Sequence, residues 1–486
     1  MTVDVVVVGG GIAGLATAYE LSRRGIRFVI LEHADRAGGV ILSEEVDGFA
    51  IDGGPDSLLI QKPEGITLCQ EIGLGDRLVA TKPPRIAFIQ RRGRLHPLPA
   101  ASVLGIPTRV GPFVRTKLFT WRGKLRMGAE LFVPRRTDGA DESIGSFMRR
   151  RFGREATDFL AEPLLAGIHA GDVNRLSLHA LFPRFAEAER THGSLLRAFR
   201  ANARLKPRAP SSGPMEREAS AERNEGAFKS LPGGLSEMIR ALVRIIGDAN
   251  VRTGTEVTGV TGPGPFTVRT AGAASYHARA VVLATPAYVT ADILKDRDAE
   301  VARRCRDIPY ASAVTVALAF RRDAVAHPLD GSGFVVPRSE KNGILAASWL
   351  SSKWPGRAPE GRVLMRTFLG GARDPWAIDE SDAECVERSM DALRPLLGIS
   401  GEPLFTRVYR WDRANAQHEV GHLARVAAID AALARHPGLF LTGSGFRGVG
   451  IPDCIADGRK TAAQVDDLLK RQDTVTETTE IRRSSR

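Results

Sequence analysis

The chain has 486 residues, 43% of them hydrophobic and 26% charged. That length supports two or three domains around a large core and excludes a small disulfide-stapled scaffold. Lys and Arg number 68 against 56 Asp and Glu, a formal net charge of +12, but no recognised nucleic-acid module accompanies the charge, so no nucleic-acid partner is expected.

The chain starts directly on an apolar strand pattern, VDVVVV, that runs into Gly9, Gly11 and Gly14. A second apolar run, Phe28–Leu31, ends in Glu32. A strand, a G-x-G-x-x-G turn, a helix and an acid at the end of the next strand form the βαβ fingerprint for the ADP half of a dinucleotide. Gly9 permits the turn, Gly11 lets backbone approach a pyrophosphate, and Gly14 lets the helix pack on the strand. Ile12 and Ala13 open that helix, whose free N–H groups would face the phosphates. Glu32 is placed to accept from ribose hydroxyls. Arg36 offers a charge beside the pyrophosphate, and Gly38 and Gly39 a second close backbone approach. A hairpin signal at Asp47-Gly48 leads to a further glycine turn, Gly53-Gly54-Pro55, which suits a chain folding over the cofactor and adds Gly54 and Pro55 to the residues expected to touch it.

From Arg85 to Arg136 there are twelve Lys or Arg and one acid, Glu130. Val103, Leu104, Ile106, Phe113, Val114, Leu118, Phe119 and Trp121 interleave with them as exposed-looking apolar residues. Such a segment suits either peripheral contact with an anionic membrane or a solvated cationic face over an ordinary core. Helical patterns follow over 143–152, 155–165 and 176–187. Residues 206–225 are rich in Pro, Ser and charge and are expected to form a mobile loop. A helix is expected over 235–246, a strand over 256–260 and a fully buried strand over 280–285. The interval 310–368 alternates strands and turns, which predicts a separate antiparallel sheet. Near the end, Leu439–Thr442, the turn containing Gly443, and Gly448-Val449-Gly450-Ile451-Pro452 precede a last helix. That arrangement suits a second helix N-terminus aimed at an isoalloxazine, and it favours FAD over NAD.

No run of eighteen apolar residues occurs, so no bilayer-spanning helix is expected. The N-terminus shows neither a basic leader nor a cleavage site, which argues against a secretory or transit peptide. Cys69, Cys305, Cys385 and Cys454 are scattered, which predicts neither a zinc site nor a disulfide framework. No metal is expected, and a cytoplasmic protein is.

The G-G-G-I-A-G-L…E-x-x-x-R-x-G-G run and the C-terminal turn resemble the FAD-dependent amine oxidase and phytoene desaturase superfamily. Within it, Glu162–Asp172 (EPLLAGIHAGD) with Leu176-Ser177, Leu231–Leu235, Gly331–Pro337, Thr367–Arg373 (TFLGGAR), Arg410-Trp411 with Gln417 and Gly421-His422, and Gly448–Ile455 resemble the protoporphyrinogen oxidase family. The resemblance spans about residues 1–470. It implies a six-electron oxidation of protoporphyrinogen IX to the porphyrin in haem biosynthesis, using FAD and dioxygen and releasing hydrogen peroxide. It adds Val257 and Trp411 to the residues expected to touch FAD. It implies that Phe368 stacks on the macrocycle, that Val335 forms an aliphatic wall, and that Ala166 and Gly167 form the loop beside the substrate. Members of the family carry a propionate-binding arginine where this chain has Ala87; Arg85, two residues back, is the expected substitute. Some bacterial relatives act on coproporphyrinogen III, with four carboxylates. An amine oxidase, a carotenoid desaturase and a lipid-binding chaperone of the Rab GDP-dissociation-inhibitor kind are the other readings. No side chain stands out as a catalytic base, so the flavin carries the chemistry; His169 and His422 read as structural.

The expected fold is α/β. A discontinuous Rossmann-like FAD-binding domain takes residues 1–84, 229–292 and 435–470. An α+β substrate domain takes 85–99 and 293–434. A helical, membrane-facing domain takes 100–205, with a loop at 206–228 and a disordered tail at 471–486. A homodimer is left open.

Overall fold

The computed structural model describes the backbone of residues 1–99, 102–103, 106–107, 110–205 and 226–484, and side chains except at 100–110, 112, 202–225 and 475–486. The mobile loop expected at 206–225 therefore lies outside the described residues, as do the side chains of Val103, Leu104 and Ile106.

Two seven-stranded sheets organise the chain. The first is built on Thr2–Val8, which pairs in parallel with Phe28–Leu31 on one side and with Ser275–Leu283 on the other. Val251–Arg252 extends it past Phe28–Leu31, and Leu439–Leu441 adds in parallel to the end of Ser275–Leu283. Two antiparallel strands, Val257–Thr261 and Phe266–Thr270, complete it. The central strands are apolar at nearly every position because both faces are covered. On one face lie the helices Ile12–Arg23, Ser236–Ile246 and Ile451–Ser484. On the other lie Ala287–Leu294, Ala299–Arg306 and His422–Leu433. The last two helices, expected on the substrate side, share the core of the parallel sheet instead. Their buried Val301, Ala302, Ile429 and Ala432 match its second face. The tail expected to be disordered from 471 continues the final helix to Ser484. The stretch contains neither Gly nor Pro, so nothing in its backbone chemistry ends the helix.

The second sheet runs in the order Phe405–Ala416, Tyr310–Arg321, Arg362–Gly370, Ala346–Ser348, Gly333–Val335, Ala87–Arg91, Arg94–Pro97. Its pairings are antiparallel except that between Gly333–Val335 and Ala87–Arg91, so the sheet is mixed. One face buries Val314, Val316, Leu318, Phe334, Met365 and Leu369 against the helix Asp382–Leu397. The other face carries the candidate site.

A third layer is helical. Ser143 caps Ile144–Phe152 by accepting from Ser146 N–H at 3.1 Å. The single helix expected over 155–165 is three joined pieces: Arg154–Ala156, a π-helical turn Thr157–Ala161, and Glu162–His169. Pro163 stands in the first turn of the last piece, directly after the π-helical turn. Residues 176–187 split at Phe182-Pro183 into Leu178–Leu181 and Pro183–His192. Arg151 and Glu130, both fully buried, pair at the centre of this layer, and Glu130 also accepts from Leu195 N–H at 2.9 Å. Of the apolar residues that looked exposed, Leu118 and Phe119 are buried in this core and Phe113 packs on it. Val114 and Trp121 remain exposed, and Leu125 and Phe132 join them. Among the described residues no helix is long and apolar enough to cross a membrane.

Candidate active site

The glycine turn fits a dinucleotide. A Cβ on Gly14 would stand 2.0 Å from the Gly9 carbonyl oxygen, so only glycine lets the first helix start this close to the first strand. A Cβ on Gly11 would meet nothing within 4 Å: the protein itself has no use for that glycine, whereas a ligand laid on the turn does. The helix Ile12–Arg23 has no side-chain cap and no acid in its first turn, which leaves its N–H groups to an anion. Glu32 accepts from Gly10 N–H at 2.6 Å and Ala34 N–H at 2.8 Å, which fixes its carboxylate beside the turn. Thr255 donates to the Glu32 carbonyl, so the strand carrying Val257 leads away from the same end. Gly38 N–H donates to Gly10 O at 2.8 Å, and a Cβ on Gly39 would touch Gly11 Cα at 3.4 Å. Arg36 also braces the loop. Its guanidinium donates to the carbonyls of Ala37, Gly39 and Ile41, so it shapes the loop around Gly38-Gly39.

The two ends of the chain meet here. Thr17 in the first helix donates to Gly458 O at 3.1 Å in the last, and a Cβ on Gly458 would collide with Ala13 O. Gly443 lies 3.9 Å from Ala13 by the same measure. Its N–H and the Thr442 hydroxyl both donate to Asp457. Gly450 N–H donates to Asp453, whose carboxylate also receives Lys62 Nζ at 2.6 Å. Val449, Gly450 and Ile451 thus sit at a braced helix start.

The substrate-side residues are collected by register. Ile89, Val335, Ala346, Phe368, Thr315 and Tyr409 are successive cross-strand partners, a single row on the open face of the second sheet. Helix Glu162–His169 lies over one end of the row: a Cβ on Gly167 would be 3.5 Å from Val335 Cγ1 and 3.6 Å from Ala346 Cβ. The Gly53-Gly54-Pro55 turn lies over the other end. Its Gly53 carbonyl accepts from Thr315 Oγ1 at 2.7 Å and Trp411 Nε1 at 3.0 Å. Phe368 is therefore between the turn expected at the flavin and the helix carrying Ala166 and Gly167. Ala87 occupies the neighbouring row, opposite Gly333. Arg85 does not join either row. Pairing begins only at Ala87, and Arg85 Nε turns back to the carbonyl and hydroxyl oxygens of Thr81, at 3.0 Å each.

The stretches that carry the family resemblance mesh with one another. Arg373 donates to Glu162 Oε1 at 2.8 Å and to Val336 O at 2.6 Å, which pins the helix to the sheet edge. Ala372 N–H donates to Ala170 O at 2.8 Å. Gln417 donates to His169 O at 3.0 Å. His418 and His422 stack at 3.7 Å. Their Nε2 atoms lie 2.9 and 2.8 Å from the carbonyls of Ser444 and Phe446 in the C-terminal glycine turn. Burial pushes His418 down to about 4 and His422 to about 3, so both are neutral donors at ordinary pH.

Sequence reasoning missed the group under the Gly53-Gly54 turn. Asp52, Asp56, Lys353, Arg357 and Arg366 cluster there, Arg357 and Asp52 fully buried and 2.7 Å apart. Burial raises the Asp52 carboxyl, although Arg357 opposes the shift. Burial also opposes ionisation of Asp56, but Lys353 and Arg366 outweigh it and hold that carboxyl below its usual range. The available signal was Arg366 itself, a charge in the middle of the strand RVLMRTFLG, whose other charge, Arg362, stands at the exposed end. The four cysteines are free and buried.

A largely parallel sheet with an uncapped glycine-rich helix start, bracketed by a second helix from the far end of the chain, defines an FAD-dependent oxidoreductase. The chain belongs to the flavin-containing amine oxidoreductase family, which it matches over residues 12–466. It is 34% identical to a coproporphyrinogen III oxidase from Bacillus subtilis, over 96% of this chain and 97% of the relative. It is 29% identical to a chloroplastic protoporphyrinogen oxidase from Nicotiana tabacum, over 96% of this chain and 86% of the relative. A solved structure from Exiguobacterium sp. 255-15, provisionally assigned as a protoporphyrinogen oxidase, superposes with a TM-score of 0.83 at 30% identity, covering 96% of this chain and 99% of that one.

Proposed function

We propose that this chain is a porphyrinogen oxidase and that its substrate is coproporphyrinogen III, oxidised to coproporphyrin III. The observation that carries the reading is the row Val335–Ala346–Phe368, flanked by Gly167 on one side and the Gly53-Gly54 turn on the other. Small residues, an aliphatic wall and one aromatic suit a large, flat, apolar ring held against a second planar ring. The identity to the coproporphyrinogen III oxidase relative, higher than to the chloroplastic protoporphyrinogen oxidase, supports the tetra-carboxylate substrate over protoporphyrinogen IX. So does Ala87, where the propionate-binding arginine of the protoporphyrinogen oxidase family would stand.

When bound, FAD would supply the redox chemistry, a hydride acceptor for the macrocycle that dioxygen reoxidises, so that six hydrogens would leave the substrate and three dioxygen molecules would become three of hydrogen peroxide. Gly9, Gly11, Ile12, Ala13, Gly14, Gly38 and Gly39 would hold its pyrophosphate and Glu32 its ribose, with Val257 at the adenosine end. Gly54, Pro55, Trp411, Gly443, Val449, Gly450 and Ile451 would border the isoalloxazine. Phe368 and Val335 orient the substrate ring, Ala166 and Gly167 admit it, and the apolar row excludes water from the transfer. Turnover of coproporphyrinogen III and protoporphyrinogen IX, compared in air by porphyrin fluorescence, tests the assignment. A higher kcat/KM for coproporphyrinogen III is expected; preference for protoporphyrinogen IX would overturn the substrate, and turnover of neither the whole reading.

Exposed Val114, Trp121, Leu125 and Phe132, beside Arg122 and Lys124, support peripheral contact with an anionic membrane surface. Co-sedimentation with anionic vesicles, reduced by Trp121→Ser with Leu125→Ser, is expected; no sedimentation at low salt would refute it.

A further inference from the structure

Arg366 stands two residues before Phe368 on the same strand, so both side chains emerge on the open face of the second sheet. Its side chain is 3% exposed. Nη1 donates to the carbonyls of Asp52 and Gly54, on either side of Gly53, and Nη2 lies 3.4 Å from Asp56 Oδ2. Asp56 is already engaged by Lys353, whose Nζ is 3.0 Å from each of its oxygens. Asp52 is engaged by Arg357. Three cations therefore share two carboxylates, and Arg366 is the one left with a partial share. Its remaining charge meets a ring: the guanidinium carbon is 4.7 Å from the centroid of Phe368. A buried guanidinium lying over an aromatic face is attracted by the ring quadrupole, and more strongly when water is excluded.

We propose that Arg366 is a positioning residue: it presents the Phe368 ring to the macrocycle and, through the same guanidinium, ties that ring to the Gly53-Gly54-Pro55 turn. The inference rests on the porphyrinogen reading for the identity of the ring that Phe368 meets. One face of Phe368 is fixed by the cation. The cation also draws electron density from the opposite face, which suits stacking on electron-rich pyrroles. Because the fork grips the carbonyls of Asp52 and Gly54, the distance between the substrate-facing ring and the turn is set by one rigid group. A lysine could supply the charge but not the fork.

The test is a double-mutant cycle of Arg366→Lys and Phe368→Leu in the flavin-loaded full-length enzyme. Arg366→Lys is expected to keep its flavin, with a modest fall in melting temperature because lysine leaves part of the buried fork unpaired. Its KM for coproporphyrinogen III should rise about five- to tenfold, because an ammonium cannot hold the ring and both carbonyls in one rigid fork, with kcat changed by less. In the Phe368→Leu background the same substitution should add nothing further to KM. Equal effects of Arg366→Lys in both backgrounds, or unchanged KM in the single variant, would overturn the proposal. If Arg366→Lys fails to retain flavin, the cycle is run with Phe368→Tyr and Phe368→Leu against binding of coproporphyrin III to wild type. Tyrosine keeping the affinity and the resting flavin spectrum while leucine weakens the one and shifts the other supports the link; leucine weakening binding without a spectral shift refutes it. Failure of the functional reading looks different, since wild type itself would then turn over no porphyrinogen.

Discussion

The cofactor end and the substrate surface are built from opposite kinds of information. At the first, thirty-odd consecutive residues place a strand, a turn, a helix and an acid, and each glycine has a local reason. At the second, Ile89, Val335, Ala346, Phe368 and Thr315 come from five strands and meet only through register. A local site fails when one backbone position is filled. A site made by register fails when packing moves, and single substitutions there alter affinity rather than abolish it.

The sharpest way to break the comparison is a pair of substitutions three residues apart. Gly14→Val drives a side chain into the Gly9 carbonyl and should prevent soluble expression or lower Tm by about three degrees or more, the shift that an overpacking cost of about 3 kcal/mol or above gives in a chain of this length. A Cβ at Gly11 meets no protein atom within 4 Å, so Gly11→Val should leave a folded protein whose absorbance spectrum lacks flavin; flavin retained at full stoichiometry would remove the pyrophosphate from this turn. Next in size, Phe368→Ala should raise KM for the porphyrinogen about tenfold or more while flavin content stays near wild type. The reverse pattern would place Phe368 on the cofactor side. Glu32→Gln should weaken FAD by about 1–3 kcal/mol, read by titrating apoprotein with FAD.

A smaller effect is acid sensitivity. His418 and His422 titrate in the folded chain at about 4 and about 3, below the unfolded value of about 6.5. The unfolded chain therefore binds more protons between those limits, and stability falls as pH drops from about 6.5 toward 4. His422→Gln should lower Tm at pH 7 but flatten its decline over that window; an unchanged slope would show that the imidazoles do not report on the turn. The smallest expected effect belongs to Arg85→Ala. With Nε bonded back to Thr81, the residue should leave kcat/KM within about twofold, and a larger loss would restore it as a carboxylate anchor.

The glycine turn, the helix starts at 143 and 235, the Asp47-Gly48 hairpin and the last four residues of the strand Ser275–Leu283, expected over 280–285, were legible because each depends on neighbours within a few residues. The hydrogen bonds of Arg36 to the carbonyls of Ala37, Gly39 and Ile41 were not legible, because a basic residue beside a phosphate loop can equally satisfy the loop's own carbonyls. Arg85 was misjudged because strand alternation was extended past the first paired residue. Leu118 and Phe119 were misjudged because a basic flank says nothing about which side faces the core. The roles of Arg366 and the His418–His422 pair were invisible, since their partners lie in residues 52–54 and 444–446.

By itself the sequence determined a dinucleotide turn, its flavin preference and the motifs of one family, because those are short-range constraints on backbone chemistry. Only the tertiary structure decided which side chains share a face, how three cations and two carboxylates divide their charge beneath a glycine turn, and which ring that leaves Arg366 to cover. Register and burial are properties of the whole packed chain, and a one-residue slip would have turned Phe368 to the opposite face.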